Sequence, residues 1–152
     1  MTPLLQAVHV IAVLIWIGGV AFVTIIVFPM IIRMENSMEK VFFFQGVEHR
    51  FAKIAKVCVV ITGLTGGELL RSSGKWHLIC APHGMGVTMM VTMWTLYAMV
   101  LLFEGRLFKV IFKGEAQHDT AKIFKRLSTF HWVILLLSIF TVFMGVYNAH
   151  GG

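Results

Sequence analysis

The chain has 152 residues, of which 58% are hydrophobic and only 13% charged, with a formal net charge of +6. Soluble domains carry about 25% charged residues; this composition, with a mean hydropathy of +0.84, argues against a water-soluble globular fold and for a membrane protein. No RNA- or DNA-binding motif accompanies the positive charge, so it reads as a topology signal and no nucleic-acid partner is expected.

The first apolar run, Pro3–Ile32, exceeds the roughly 20 residues that cross a bilayer. Thr2 suits its cap and Pro3 its first helical position. The run is too long for a signal peptide and has neither a basic leader nor a small-residue cleavage site, so it is expected to be retained. Helical spacing puts His9, Val13, Trp16, Val20 and Val23 on one face. The second run, Val57–Leu70, reaches spanning length only with Phe51–Lys56 included, which places Lys53 and Lys56 inside the helix. Its histidine face runs from His49 through Ala52, Lys53, Lys56, Val60, Gly63 and Gly67. After a short turn at Ser72, Ser73 and Gly74, the third run, Leu78–Phe103, aligns His83, Gly86, Val87, Met90 and Trp94. The 104–126 segment mixes charges with Leu107, Phe108, Ile111 and Phe112 at helical spacing, which predicts a surface-lying amphipathic helix. The fourth run, Leu127–Tyr147, aligns His131, Leu135, Ser138, Val142 and Gly145.

The expected architecture is all-α: one integral-membrane domain spanning 1–152, with helices at about 3–31, 46–70, 77–103 and 127–148 and a cytoplasmic connection at 104–126. Short loops predict up-down-up-down order, with helices 1 and 3, and helices 2 and 4, on the diagonals. Eleven of the thirteen basic residues fall in the segment joining helix 1 to 2 with the start of helix 2, and in the segment joining helix 3 to 4; only Arg71 and Lys75 lie at the other end. The positive-inside rule then predicts a bacterial inner membrane protein with both termini periplasmic. Cys58 and Cys80 lie at depths too different for a disulfide. The absence of C-x-x-C-H excludes covalent c-type heme by that route.

Ionisable residues within membrane spans are costly and mark functional sites. His9 and His83 fall toward the outer end of the expected bundle, His49 and His131 toward the inner end. Two diagonal pairs at two depths predict two b-type hemes held by paired imidazoles. Gly63, Gly66, Gly67, Gly84, Gly86 and Gly145 would leave room for the outer macrocycle. Arg71 and Lys75 would meet propionates outside; Arg50, Lys53 and Arg126 would meet them inside. The expected function is transfer of electrons between a membrane donor such as a quinol and a periplasmic redox partner, with His118 and Lys122 available to a quinone at the inner rim. Membrane lipid surrounds such a bundle, and an oligomer is open. Copper is the rival metal: Met85, Met89 and Met93, and Met30, Met34 and Met38, form i, i+4 stripes of soft donors. Each histidine also has a plainer role in packing or at the interface, His77 and His150 in particular. The glycines double as helix-packing notches, and Lys53 and Lys56 can snorkel to headgroups.

The stretch His9-x6-Trp16-x-Gly18-Gly19 resembles the first helix of the CopD-like (copper resistance D) membrane proteins, and is similar to that of the HemJ-type protoporphyrinogen oxidases. Glu48-His49-Arg50-Phe51 followed by Thr62-Gly63 resembles their second helix. The resemblance covers about the first half of the chain. It implies a four-helix membrane fold with either copper handling or porphyrin chemistry. In the HemJ-type enzymes a helix-1 histidine and a helix-3 lysine are associated with heme; here the third run offers His83 and no lysine inside the membrane. The paired-histidine layout is also similar to that of small diheme cytochromes b.

Overall fold

The computed structural model describes residues 2–114 and 120–151 and holds four long helices, with no strand among the described residues. Helix α1 spans Thr2–Arg33. A π turn at Val23–Val27 interrupts it, and the Phe28 N–H reaches back to the Val23 carbonyl. Pro29 has no N–H to offer the carbonyl four residues back, and the wider turn absorbs that defect. Helix α2 spans Ser37–Ser72, α3 Met85–Gly114 and α4 Thr120–Ala149. Three of the four, α1, the Pro82–Leu107 segment containing most of α3, and α4, are long and apolar enough to cross a membrane. Charges spread along α2, among them Arg50, Lys53, Lys56, Glu68 and Arg71, keep it out of that group.

Two boundaries differ from expectation. Helix α2 begins nine residues earlier than 46, because the Asn36 side chain accepts a 3.0 Å hydrogen bond from the Met38 N–H and caps it. The expected 104–126 connection is helical wherever it is described, at 104–114 and 120–126. Its leucine, lysine and arginine content favours continuing the helices, so the anticipated surface helix is an extension of α3. His118 lies outside the described residues. Between α2 and α3 the chain makes two tight turns, Lys75–Leu78 and Pro82–Gly84, with Cys80 at φ 69°. The Thr88 hydroxyl accepts from the Cys80 N–H at 3.0 Å and donates to the Gly84 carbonyl at 3.2 Å, tying these turns to α3.

Helix α1 packs along α2, α3 packs along α4, and α2–α3 and α1–α4 contacts close the bundle. The diagonals meet through long side chains. Trp16 of α1 sits edge-on to Tyr97 of α3 with centroids 4.5 Å apart, and Phe44 of α2 meets Phe124 of α4 at 5.3 Å. One core cluster surrounds Trp16, Val59, Tyr97 and Leu135; a second, nearer the α1–α2 junction, surrounds Val27, Phe28, Phe44 and Phe124. Helices α3 and α4 approach closely at Gly86: a methyl group built there would stand 2.9 Å from Asn148 Nδ2, 3.2 Å from the Met144 carbonyl and 3.4 Å from the Gly145 Cα. The outer faces are strongly apolar, with Leu4, Leu64 and Leu102 at 73%, 71% and 80% exposure. Exposed apolar surface this extensive marks contact with a non-aqueous medium or a partner.

The interior face of α2 is turned from the expected one. Phe44, Ala52, Ala55, Cys58, Val59, Thr62 and Thr65 are buried, whereas His49, Lys53, Lys56 and Val60 are exposed. Small residues win the interior because they admit α1 closely, and the charged stripe rotates outward with His49. On α1 and α4 the expected faces hold: Trp16, Val20, Val23, Leu135 and Ser138 are buried, with His9 and His131 half-buried.

Candidate functional site

Hydroxyls in these helices mostly bond their own backbone: Thr24, Thr65, Ser138 and Thr141 each donate to the carbonyl four residues back at 2.7–2.8 Å. Thr65 does a second thing. Its Oγ1 lies 2.9 Å from Nδ1 of His9 on the facing helix. With the Thr65 proton given to the Ile61 carbonyl, its oxygen accepts from Nδ1–H of His9, and the Thr62 backbone carbonyl is a second partner of the ring. In the neutral ring the remaining lone pair is then on Nε2. A committed Nδ1–H and an open Nε2 are the arrangement found in metal-ligating imidazoles.

Around this ring the interior holds polar atoms without partners. The Trp16 indole N–H and the Thr62 hydroxyl make no hydrogen bond, although Trp16 is 4% and Thr62 7% exposed. Trp16 lies two turns along α1 from His9. Thr62 precedes Thr65 by three residues on α2, on the stripe facing α1. Leaving a buried donor unsatisfied costs about 1–3 kcal/mol, so the indole and the hydroxyl, on the same α1–α2 seam as His9, are polar groups that packing alone does not explain.

The other expected ligands are placed differently. His83 is exposed in the Pro82–Gly84 turn. Trp94 Nε1 donates to the Val59 carbonyl at 2.8 Å and its ring covers Gly63, which sets the α2–α3 register. By that register the His9 level corresponds to the region of Met90, so His83 stands about seven residues, ~10 Å, further toward the α2–α3 turn. The structure therefore does not bring His9 and His83 to one level. His131 donates through Nδ1 to the Leu127 carbonyl at 2.9 Å and packs against the Phe28 ring with centroids 4.8 Å apart. His49 points away from the bundle and does not join it. The residue that α2 turns inward here is Glu48, whose Oε2 is buried without a partner. Its spacing of four from both Phe44 and Ala52 was the available signal.

The expected propionate partners Arg50, Lys53, Lys75 and Arg126 are exposed. Arg71 is engaged by Glu68 at 2.9 and 3.0 Å, and that hydrogen bond and charge raise its already high pKa. The glycines are mostly filled by protein. The Trp94 indole occupies the hollow at Gly63, His9 lies against Gly66, Met90 covers Gly145, and the Leu78 carbonyl covers Gly84, while Gly67 is open. Of the methionine stripe, Met85 is exposed and Met93 packs on the core, so the stripe does not share one environment. Among the described residues no three His, Cys, Asp or Glu side chains converge as a metal site. No protein family, curated protein or solved structure matches the chain.

Proposed function

We propose that this chain is an integral-membrane b-type heme protein that passes electrons between a membrane donor, such as a quinol, and an acceptor on the periplasmic side. In this reading successive helices run up-down-up-down across a bacterial inner membrane, with the basic α1–α2 and α3–α4 junctions cytoplasmic and both termini periplasmic. The contacts His9–Thr65, Trp16–Val59 and Phe28–Phe44, which run in opposite directions along α1 and α2, support that order. The apolar outer surface supports insertion.

The observation that carries the reading is the half-buried His9, with Nδ1 committed, on the α1–α2 seam that also holds the unpartnered Trp16 N–H and Thr62 hydroxyl. A heme bound there would supply one-electron chemistry. The chain's own residues orient the imidazole, exclude water through the Trp16–Tyr97 packing, and set the polarity of the cleft. His131, nearer the cytoplasmic junctions, is the candidate ligand for a second heme. The likeness of His9-x6-Trp16-x-Gly18-Gly19 to the CopD- and HemJ-type first helix points to the same region of the chain.

The test is a reduced-minus-oxidised and pyridine hemochrome spectrum of the purified protein, with acid-acetone extraction. Non-covalent heme b is expected. His9→Ala should remove a heme, while His83→Ala, at an exposed turn, should retain it. Stoichiometric copper without heme would overturn the reading in favour of copper handling.

A further inference from the structure

We propose that the outward stripe of α2 binds an anionic phospholipid: Arg50 and Lys53 hold its phosphate, and one acyl chain lies along Val57, Val60 and Leu64. The inference rests on insertion of the bundle in a membrane and is independent of any cofactor.

Packing sets the stripe. Alanines, threonines and Cys58 of α2 take the interior, so His49, Lys53, Val57, Val60 and Leu64, at helical spacing, are left exposed, with Arg50 beside them. The stripe changes character along the axis, basic from His49 to Lys53 and apolar beyond. Lys53 and Arg71 are 18 residues apart, which is ~27 Å of helix against a hydrocarbon core of about 30 Å. Lys53 therefore falls at one edge of the core and Arg71 at the other. The charges between and at the far edge are neutralised within the protein: Lys56 bonds Glu104 of α3 at 2.6 Å, and Glu68 holds Arg71 at 2.9 Å. Arg50 and Lys53 have no such partner among the described residues. Glu48, the nearest acid in the sequence, is turned inward. Unpaired cations bordering hydrocarbon are costly unless the medium supplies an anion. Three residues apart, the two stand on one face with Cβ atoms about 5–6 Å from each other, within reach of one phosphate. From Lys53 to Leu64 the stripe runs another 11 residues, ~16 Å, the depth of one leaflet's hydrocarbon. A soluble anion would use the cations alone; a phospholipid uses both halves of the stripe.

The test titrates the purified protein in mixed micelles with phosphatidylglycerol or phosphatidylcholine, read by native mass spectrometry and by melting temperature. Wild type should retain phosphatidylglycerol in preference to phosphatidylcholine and melt higher with it. At about fivefold per basic residue, Arg50→Gln/Lys53→Gln should lose roughly 25-fold of that preference. The charge-preserving Arg50→Lys/Lys53→Arg pair should keep most of it, and Lys75→Gln, in the α2–α3 turn, all of it. Glycerol phosphate, which has the anion and no acyl chain, should not compete; full competition would overturn the lipid in favour of a free phosphate. Equal retention of both lipids by wild type, or an undiminished preference in Arg50→Gln/Lys53→Gln, would overturn the inference while leaving membrane insertion intact. A protein that stays monodisperse without detergent would overturn insertion itself and this inference with it.

Discussion

Gly66 and Gly67 are adjacent on α2, yet alanine at the two positions should have opposite consequences. At Gly66 the added Cβ would sit 3.2 Å from Cε1 and 3.7 Å from Nδ1 of His9, while at Gly67 it would meet nothing within 4 Å. Replacing glycine by alanine inside a helix gains about 0.8–1.0 kcal/mol from backbone entropy. Gly67→Ala should keep that gain. Gly66→Ala must push the half-buried imidazole aside by a few tenths of an ångström, which stretches the 2.9 Å bond to Thr65. Displacing a ring from its rotamer costs about 0.5–1.5 kcal/mol, which cancels the gain. The two variants should thus differ by roughly 1 kcal/mol in unfolding free energy, ~2–4 °C in midpoint for a chain of this length. Because the cost falls on His9, the heme ligand under the proposed function, heme affinity should on that reading drop about fivefold in Gly66→Ala alone, with 1.4 kcal/mol equal to a factor of ten. Reversible unfolding in mixed micelles and heme titration of each apoprotein measure the two quantities. Indistinguishable Gly66→Ala and Gly67→Ala proteins would refute the placement of His9 against Gly66.

Tyr97→Phe should lower stability by about 1 kcal/mol without changing the heme spectrum. The Tyr97 hydroxyl donates to Ser138 Oγ at 2.9 Å, since Ser138 gives its own proton to the Ile134 carbonyl at 2.7 Å, and its loss removes one buried bond. An altered spectrum at equal stability would contradict that assignment. A periplasm-dependent reporter fused at the C-terminus should be active; activity of a cytoplasmic reporter there would reverse the proposed orientation.

The helical character was legible because four apolar runs of near-spanning length leave little alternative to α-helix. The inward faces of α1 and α4 were legible too, since Trp16, Val20, Leu135 and Ser138 recur at the helical period. The face of α2 was not. Reading it from His49 put the polar side chain ahead of packing, and α2 presents alanines, threonines and Glu48 to the interior instead. The start of α2 was marked by Asn36, a capping residue whose weight is easy to miss beside a charged stretch. The first α2–α3 turn was legible in Ser72, Ser73 and Gly74, but the second was hidden, because Cys80 adopts a positive φ that its residue type does not advertise. His83 lies in that second turn, ahead of α3.

What separates His9 from the other histidines with a recorded hydrogen bond is the origin of its partner. His77, His131 and His150 each spend Nδ1 on a carbonyl three or four residues earlier in their own segment, a bond available to any helix or turn that holds them. His9 spends it on a side chain 56 residues away in sequence, so its orientation exists only when α1 and α2 are docked. The same seam buries the Trp16 N–H and the Thr62 hydroxyl without partners, although other hydroxyls in the bundle find a carbonyl. A fold that served packing alone would gain by replacing Trp16 with phenylalanine and Thr62 with valine, since removing a buried orphan polar group is neutral or stabilising. Three polar groups retained on one seam of an apolar bundle, one of them oriented by the neighbouring helix, are what makes this seam the candidate site.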